Sequence, residues 1–227
     1  MMAARVDPAQ LSELTEQVTD FVDTHELPAA QFAVAQHGEL IHSVSFGAAQ
    51  DHTRFVLQSA GRPVLAAAVW RLMSDYSLDI SRTVASYIPE FASNGKEQVT
   101  VEQVLTHVAG FPLAPLKYPT MLSREGRLEA FARWRLTYDP GTRLEFHLTS
   151  AAWVLGEIAE RLTGLTYRAY LRQAISEPLG LASLDVAVPI DQQADIAALT
   201  LIGQPLPEGG VDPWGPWYLA RPEILAA

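Results

Sequence analysis

Phe55 to Met73 read FVLQSAGRPVLAAAVWRLM, a strand-like lead-in that delivers Ser59 to the start of an apolar helix. Val64, Leu65, Ala68, Val69, Leu72 and Met73 recur at helical spacing and share one face, which predicts a buried helix. Proline fits a helix only at its first turn, where the missing N–H has no partner to lose. Pro63 therefore sets the helix start between Ser59 and Arg62. Two roles are open to a serine at this place. It can cap the helix, or its oxygen can serve as a nucleophile whose developing negative charge the helix dipole favours.

Working outward, Pro8 to Thr24 carries Leu11, Leu14, Val18, Phe21 and Val22 at helical spacing and predicts an amphipathic helix. Gln31 to Ala35 and Leu40 to Phe46 predict two strands joined by a tight turn at His37 and Gly38. His37, His42 and His52 show no metal-ligand spacing and are read as turn or surface residues. Beyond the Ser59 helix, Val99 to Pro112 (VTVEQVLTHVAGFP) opens on a capping box, Thr100 with Gln103, and stops at Gly110 and Pro112. A helix from about Arg124 to Trp134 follows a lid-like loop, with Trp134 read as core. Tyr138 to Gly164 begins with a turn at Asp139-Pro140-Gly141. It continues as a helix with the stripe Ala151, Leu155, Ile158 and Leu162, ended by Gly164.

Composition narrows the function. At 227 residues, 48% hydrophobic and 19% charged, the chain is long enough for a sizeable core and is globular in character. It has no cysteine, which excludes disulfides, thiolate catalysis and zinc-thiolate sites. A net charge of -10 with no basic cluster argues against nucleic acid or an anionic membrane as partner. No apolar run has the length of a membrane span, and the N-terminus has no continuous apolar segment of the signal-peptide kind, so the cytoplasm is the expected location. No metal or cofactor is implied. Only two lysines stand against fourteen arginines.

Five stretches, among them Ser77 to Phe91 (SLDISRTVASYIPEF), together resemble the penicillin-recognising serine hydrolases: class C beta-lactamases, DD-peptidases and related esterases. FVLQSAGRP is similar to the nucleophile segment, whose signature is Ser-x-x-Lys. Leu105, Thr106, His107, Gly110 and Pro112 match "Leu-Thr-His-Thr-Ser-Gly-Leu-Pro", Tyr138 to Gly164 matches the segment holding Tyr-x-Asn, and Thr166 to Gly180 matches a packing helix. The resemblance implies an α+β, beta-lactamase-like fold: a partial antiparallel sheet with flanking helices plus a mostly helical subdomain. It further implies one domain over 1–227, with helix and hairpin in 1–58, a mainly helical region in 59–188 and an irregular Pro/Gly-rich tail in 189–227. The tail's Trp214, Trp217 and Tyr218 need burial or a partner. The family's later Lys/His-x-Gly triplet has no counterpart after Leu181, so the chain is expected to lack the final third of the fold. A sheet edge left uncovered invites self-association.

The same resemblance implies a site with Ser59 as nucleophile. Arg62 then stands at the lysine position, while Phe146 and Leu148 stand where the tyrosine and asparagine belong. A one-residue slip, allowed by the spacing to Gly156, puts His147 in the tyrosine's place as a substitute base. His107 is structural in the family. Arginine keeps its proton at any usable pH and phenylalanine has none to move, so a nucleophilic serine lacks its activators. Three readings are open. The chain is a weak serine hydrolase of small esters, amides or lactams, a non-catalytic binding or scaffold relative, or a truncated gene product.

Overall fold

The computed structural model describes residues 6–199. The part of the expected irregular tail from residue 200 onward, with Trp214, Trp217 and Tyr218, lies outside the described residues. The fold is mixed α and β, as expected, and divides into two compact units: one holds the residues up to Val56 and those from Gln192, the other Leu57–Asp191.

The first unit is a helix and a hairpin. Helix α1 (Pro8–Thr24) starts where Asp7 caps it, the carboxylate accepting from the Ala9 N–H at 2.9 Å, and Pro8 takes the first turn. Strands β1 (Ala29–Gln36) and β2 (Glu39–Gly47) pair antiparallel and run longer at both ends than the apolar alternation marked. Their turn has positive φ at both His37 and Gly38, the conformation whose twist matches a hairpin. The register slips between Val34 and Ala35, so Ile41 is the extra residue of a bulge. His42 is no free surface residue: Thr15 Oγ1 lies 2.9 Å from its Nε2 and ties α1 to β2.

The second unit is built on α2 (Arg62–Asp75), which a 3-10 turn over Gln58–Gly61 precedes. Ala68, Val69 and Leu72 are buried as their spacing predicts, but Met73 lies at the edge of the apolar arc and is exposed. Helix α2 packs on α5 (Ser150–Thr163), whose Ala151, Leu155 and Ile158 are buried and whose end is set by Gly164 in the left-handed conformation. The short helix α6 (Tyr167–Leu171) completes the layer, with Tyr170 fully buried and its hydroxyl donating to the Ala68 carbonyl at 2.7 Å. Helix α3 (Val101–Leu105) carries the complete capping box of Thr100 and Gln103. Gly110 ends the following turn at φ 87°, and a Cβ there would stand 2.4 Å from the Tyr138 carbonyl oxygen, so no other residue fits. Helix α4 (Arg124–Arg133) leads to Trp134, which is core as expected, stacks on Phe111 and packs at a tilt against Phe131.

One buried charge was not anticipated from the sequence. Lys96 is fully buried, and its ammonium donates to the Ser93 carbonyl (2.6 Å), Ser93 Oγ (3.1 Å) and the Trp134 carbonyl (2.6 Å). Burial pushes its pKa down from 10.5 to about 8. Between these values the unfolded chain keeps a proton that the folded chain has lost, so stability rises with pH across that window. Three oxygens hold the charged form, so the expected rise stays below the about 3 kcal/mol that the full shift corresponds to. Urea unfolding at pH 8 and pH 10.5 should show this rise in the native chain and its loss in Lys96→Met.

Candidate active site

Ser59 lies in the 3-10 turn that leads into α2, and it is exposed. The preceding residue, Gln58, has φ of 50°. A side chain other than glycine in this left-handed region costs about 1 kcal/mol. The local chain is thus bent sharply at the serine, and that strain is held by the buried helix behind it.

Arg62 begins the first full turn of α2 and reaches across to the segment after the Asp139-Pro140-Gly141 turn. Its Nη2 donates to the Leu148 carbonyl at 2.8 Å, and its guanidinium carbon sits 4.5 Å from the centre of the Phe146 ring. The same Nη2 stands 3.5 Å from Ser59 Oγ, at the outer limit of a hydrogen bond. Ser59, Arg62, Phe146 and Leu148 are therefore gathered in one place. Resting a cation on an aromatic face contributes about 0.5–1 kcal/mol at an exposed site. Arg62 Nε is buried without a hydrogen-bond partner.

His147 sits elsewhere in the arrangement, and here the substitute-base expectation needs correcting on geometry. The ring is fully buried. The Phe111 N–H donates to its Nε2 at 3.1 Å, and its Nδ1 lies 2.7 Å from the Glu145 carbonyl oxygen. An acceptor at Nε2 and a donor at Nδ1 fix the neutral tautomer and use both nitrogens. No lone pair remains for the serine's proton. Burial also pushes the ring's pKa below its ordinary value, which keeps it neutral.

His107 takes the loop-holding part. Its Nδ1 accepts from the His147 N–H at 3.2 Å, and its carbonyl accepts from the Glu145 N–H at 3.0 Å. Accepting at Nδ1 leaves the proton on Nε2, so this ring too presents a donor on its other side. Burial, and then the charge of Arg62, lower its pKa. Its ring lies 4.8 Å from that of Phe146. The pair of histidines thus buttresses the segment that carries Phe146 and Leu148, leaving proton transfer to other groups.

Two parts of this arrangement had no sequence signal. The Leu148 carbonyl is the main partner of Arg62, and a backbone acceptor has no residue type by which to be recognised. The positive φ of Gln58 is equally silent, because glutamine is not a residue that marks a left-handed turn.

Known proteins share the fold. The family model described as Beta-lactamase matches residues 14–219. Esterase EstB of Burkholderia gladioli is 28% identical over 216 residues, covering 80% of this chain and 55% of the esterase. A crystal structure described as a novel penicillin-binding protein homolog from Caulobacter crescentus superposes with a TM-score of 0.75 at 30% identity, covering 95% of this chain and 62% of that one. The chain spans little more than half the length of the esterase it matches.

Proposed function

Because the chain belongs to the beta-lactamase family, we propose that Ser59 is the nucleophile of a serine-hydrolase site that is disarmed at its base. Ser59 Oγ adds to an ester, amide or lactam carbonyl, whose C=O pair moves onto oxygen; the C=O then re-forms as the bond to the leaving group breaks. The hydroxyl proton must go to an acceptor. The guanidinium of Arg62 only donates, Phe146 carries no acid or base, and the nearby histidines present no free acceptor. The proton is left to water, and acylation is slow or absent. The observation that carries this reading is the Arg62 guanidinium, fixed between the Leu148 carbonyl and the Phe146 ring at 3.5 Å from Ser59 Oγ.

A second reading is favoured by the place of Arg62, whose Nη2 stands 3.5 Å from the hydroxyl of the exposed Ser59. A fixed cation at an exposed serine suits a ligand carboxylate, and the site then binds without turnover.

Treatment with a fluorophosphonate, followed by intact mass, tests the enzyme reading. The expected result is an adduct that accumulates over hours, maps to Ser59 and is missing in Ser59→Ala. No adduct in that time supports binding without catalysis. Complete labelling within minutes, together with brisk hydrolysis of an activated acetate that Ser59→Ala abolishes, overturns the disarmed site.

A further inference from the structure

A second site lies in the same unit, away from Ser59. A cavity of about 500 Å³ opens between the segment after Phe111 and the end of α4. We propose that it binds an amphiphilic carboxylate, a ligand with one anionic head and an apolar body, of the class of a medium-chain fatty acid.

The body is argued from the floor. Phe111, Leu116, Ala130 and Trp134 pack beneath the cavity as a fixed apolar floor, and Leu113, three-quarters exposed, and Pro115 give it apolar walls that a ligand can reach. Trp134 stacks on Phe111 with ring centres 5.8 Å apart, and its indole N–H is taken by the Pro115 carbonyl at 2.8 Å. The one polar handle of that wall is thus already satisfied. The volume falls within the about 300–1,000 Å³ of small-molecule sites.

The head is argued from the rim. Lys117, Arg133 and Arg135 border the cavity, and no carboxylate does. The contrast matters in a chain with 26 acidic residues and a net charge of -10. Arg133 pairs with Glu129 at 3.3 Å, but both side chains are more than half exposed, where such a pair is weak. Among the described residues, Lys117 and Arg135 have no ion pair or side-chain hydrogen bond. Behind the wall, the Lys96 ammonium bonded to the Trp134 carbonyl feels the Glu97 carboxylate first and Arg135 after it, so the positive charge at the mouth is that of the rim itself. An anion at the mouth gains charge-assisted hydrogen bonds from the rim, while the cavity takes its apolar part.

Calorimetric titration of the whole chain with decanoate, decanol, acetate and inorganic phosphate tests this. Saturable binding is expected for decanoate, weaker by about tenfold or more for decanol, which lacks the charge, and absent for acetate and phosphate, which lack the body. Lys117→Glu with Arg135→Glu should weaken decanoate by about tenfold or more, and the milder Lys117→Gln with Arg135→Gln should follow in the same direction. Both positions are exposed, so these variants fold. Arg62→Gln should leave decanoate binding unchanged, placing it away from the serine. Equal affinity for decanoate and decanol, no saturable binding of either, or binding lost with Arg62→Gln and kept in the rim variants would each overturn the proposal.

Discussion

Exchanging Arg62 for lysine and Phe146 for tyrosine together is expected to raise the rate of Ser59 acylation by an activated ester about a hundredfold or more, the range of a positioned general base. The physical reason is a change in what the two side chains can accept. A lysine amine near a tyrosine hydroxyl can shed its proton and then take the serine's; a guanidinium cannot. Lysine also withdraws the bond from the Leu148 carbonyl and the stack on Phe146, both of which hold the cation against the serine. Each single change should give far less. Phe146→Tyr alone places a phenol against a permanent cation that still blocks transfer, and Arg62→Lys alone leaves the amine without its relay. The gain is therefore more than the two parts added, as for residues that act as a unit. Pre-steady-state hydrolysis of a nitrophenyl ester reads the rate, and Ser59→Ala in the double variant must abolish it. A folded double variant that is no faster than the native chain would count against the proposal that these two positions limit Ser59.

The stretches legible in the sequence were those whose physics is local. Pro63 placed the start of α2, Thr100 and Gln103 the cap of α3, and Gly164 the end of α5, because each answers a need of the backbone within one turn. The gathering of Ser59, Arg62 and Phe146 followed from resemblance, since nothing local brings residue 146 to residue 62. What stayed illegible depends on groups distant in the chain. Lys96 and Glu157 look like surface charges, and their burial is intelligible only once Trp134, Arg124 and Arg161 are in place around them. His147 looked like a spare base because its partners, the Phe111 N–H and the Glu145 carbonyl, are backbone groups that every residue has.

The same contrast between apparent and actual surroundings sets the expected result at Glu157, where alanine should lower stability by about 3 kcal/mol, near the lower end for breaking a buried ion pair. This carboxylate lies on the buried face of α5 with its side chain 1% exposed. It accepts from Arg124 Nε and Nη2 at 3.1 and 2.7 Å and from Arg161 Nε at 2.7 Å. Arg161 continues to Glu90, donating to both of its oxygens, so one chain of charges joins α4, α5 and the turn at Pro89–Phe91. The bond from Glu157 holds the pKa of Arg124 above its ordinary value. Removing the anion leaves two guanidiniums without their shared acceptor, but both retain access to water, which keeps the loss from being larger. Removing Arg124 is a smaller insult: that side chain is half exposed, and Arg161 stays to neutralise Glu157, so Arg124→Ala should cost about 1 kcal/mol. Urea unfolding of the two variants beside the native chain measures both. Equal losses would show that the network counts by its number of pairs, whereas the threefold asymmetry expected here means that stability follows the depth of the single acid at its centre.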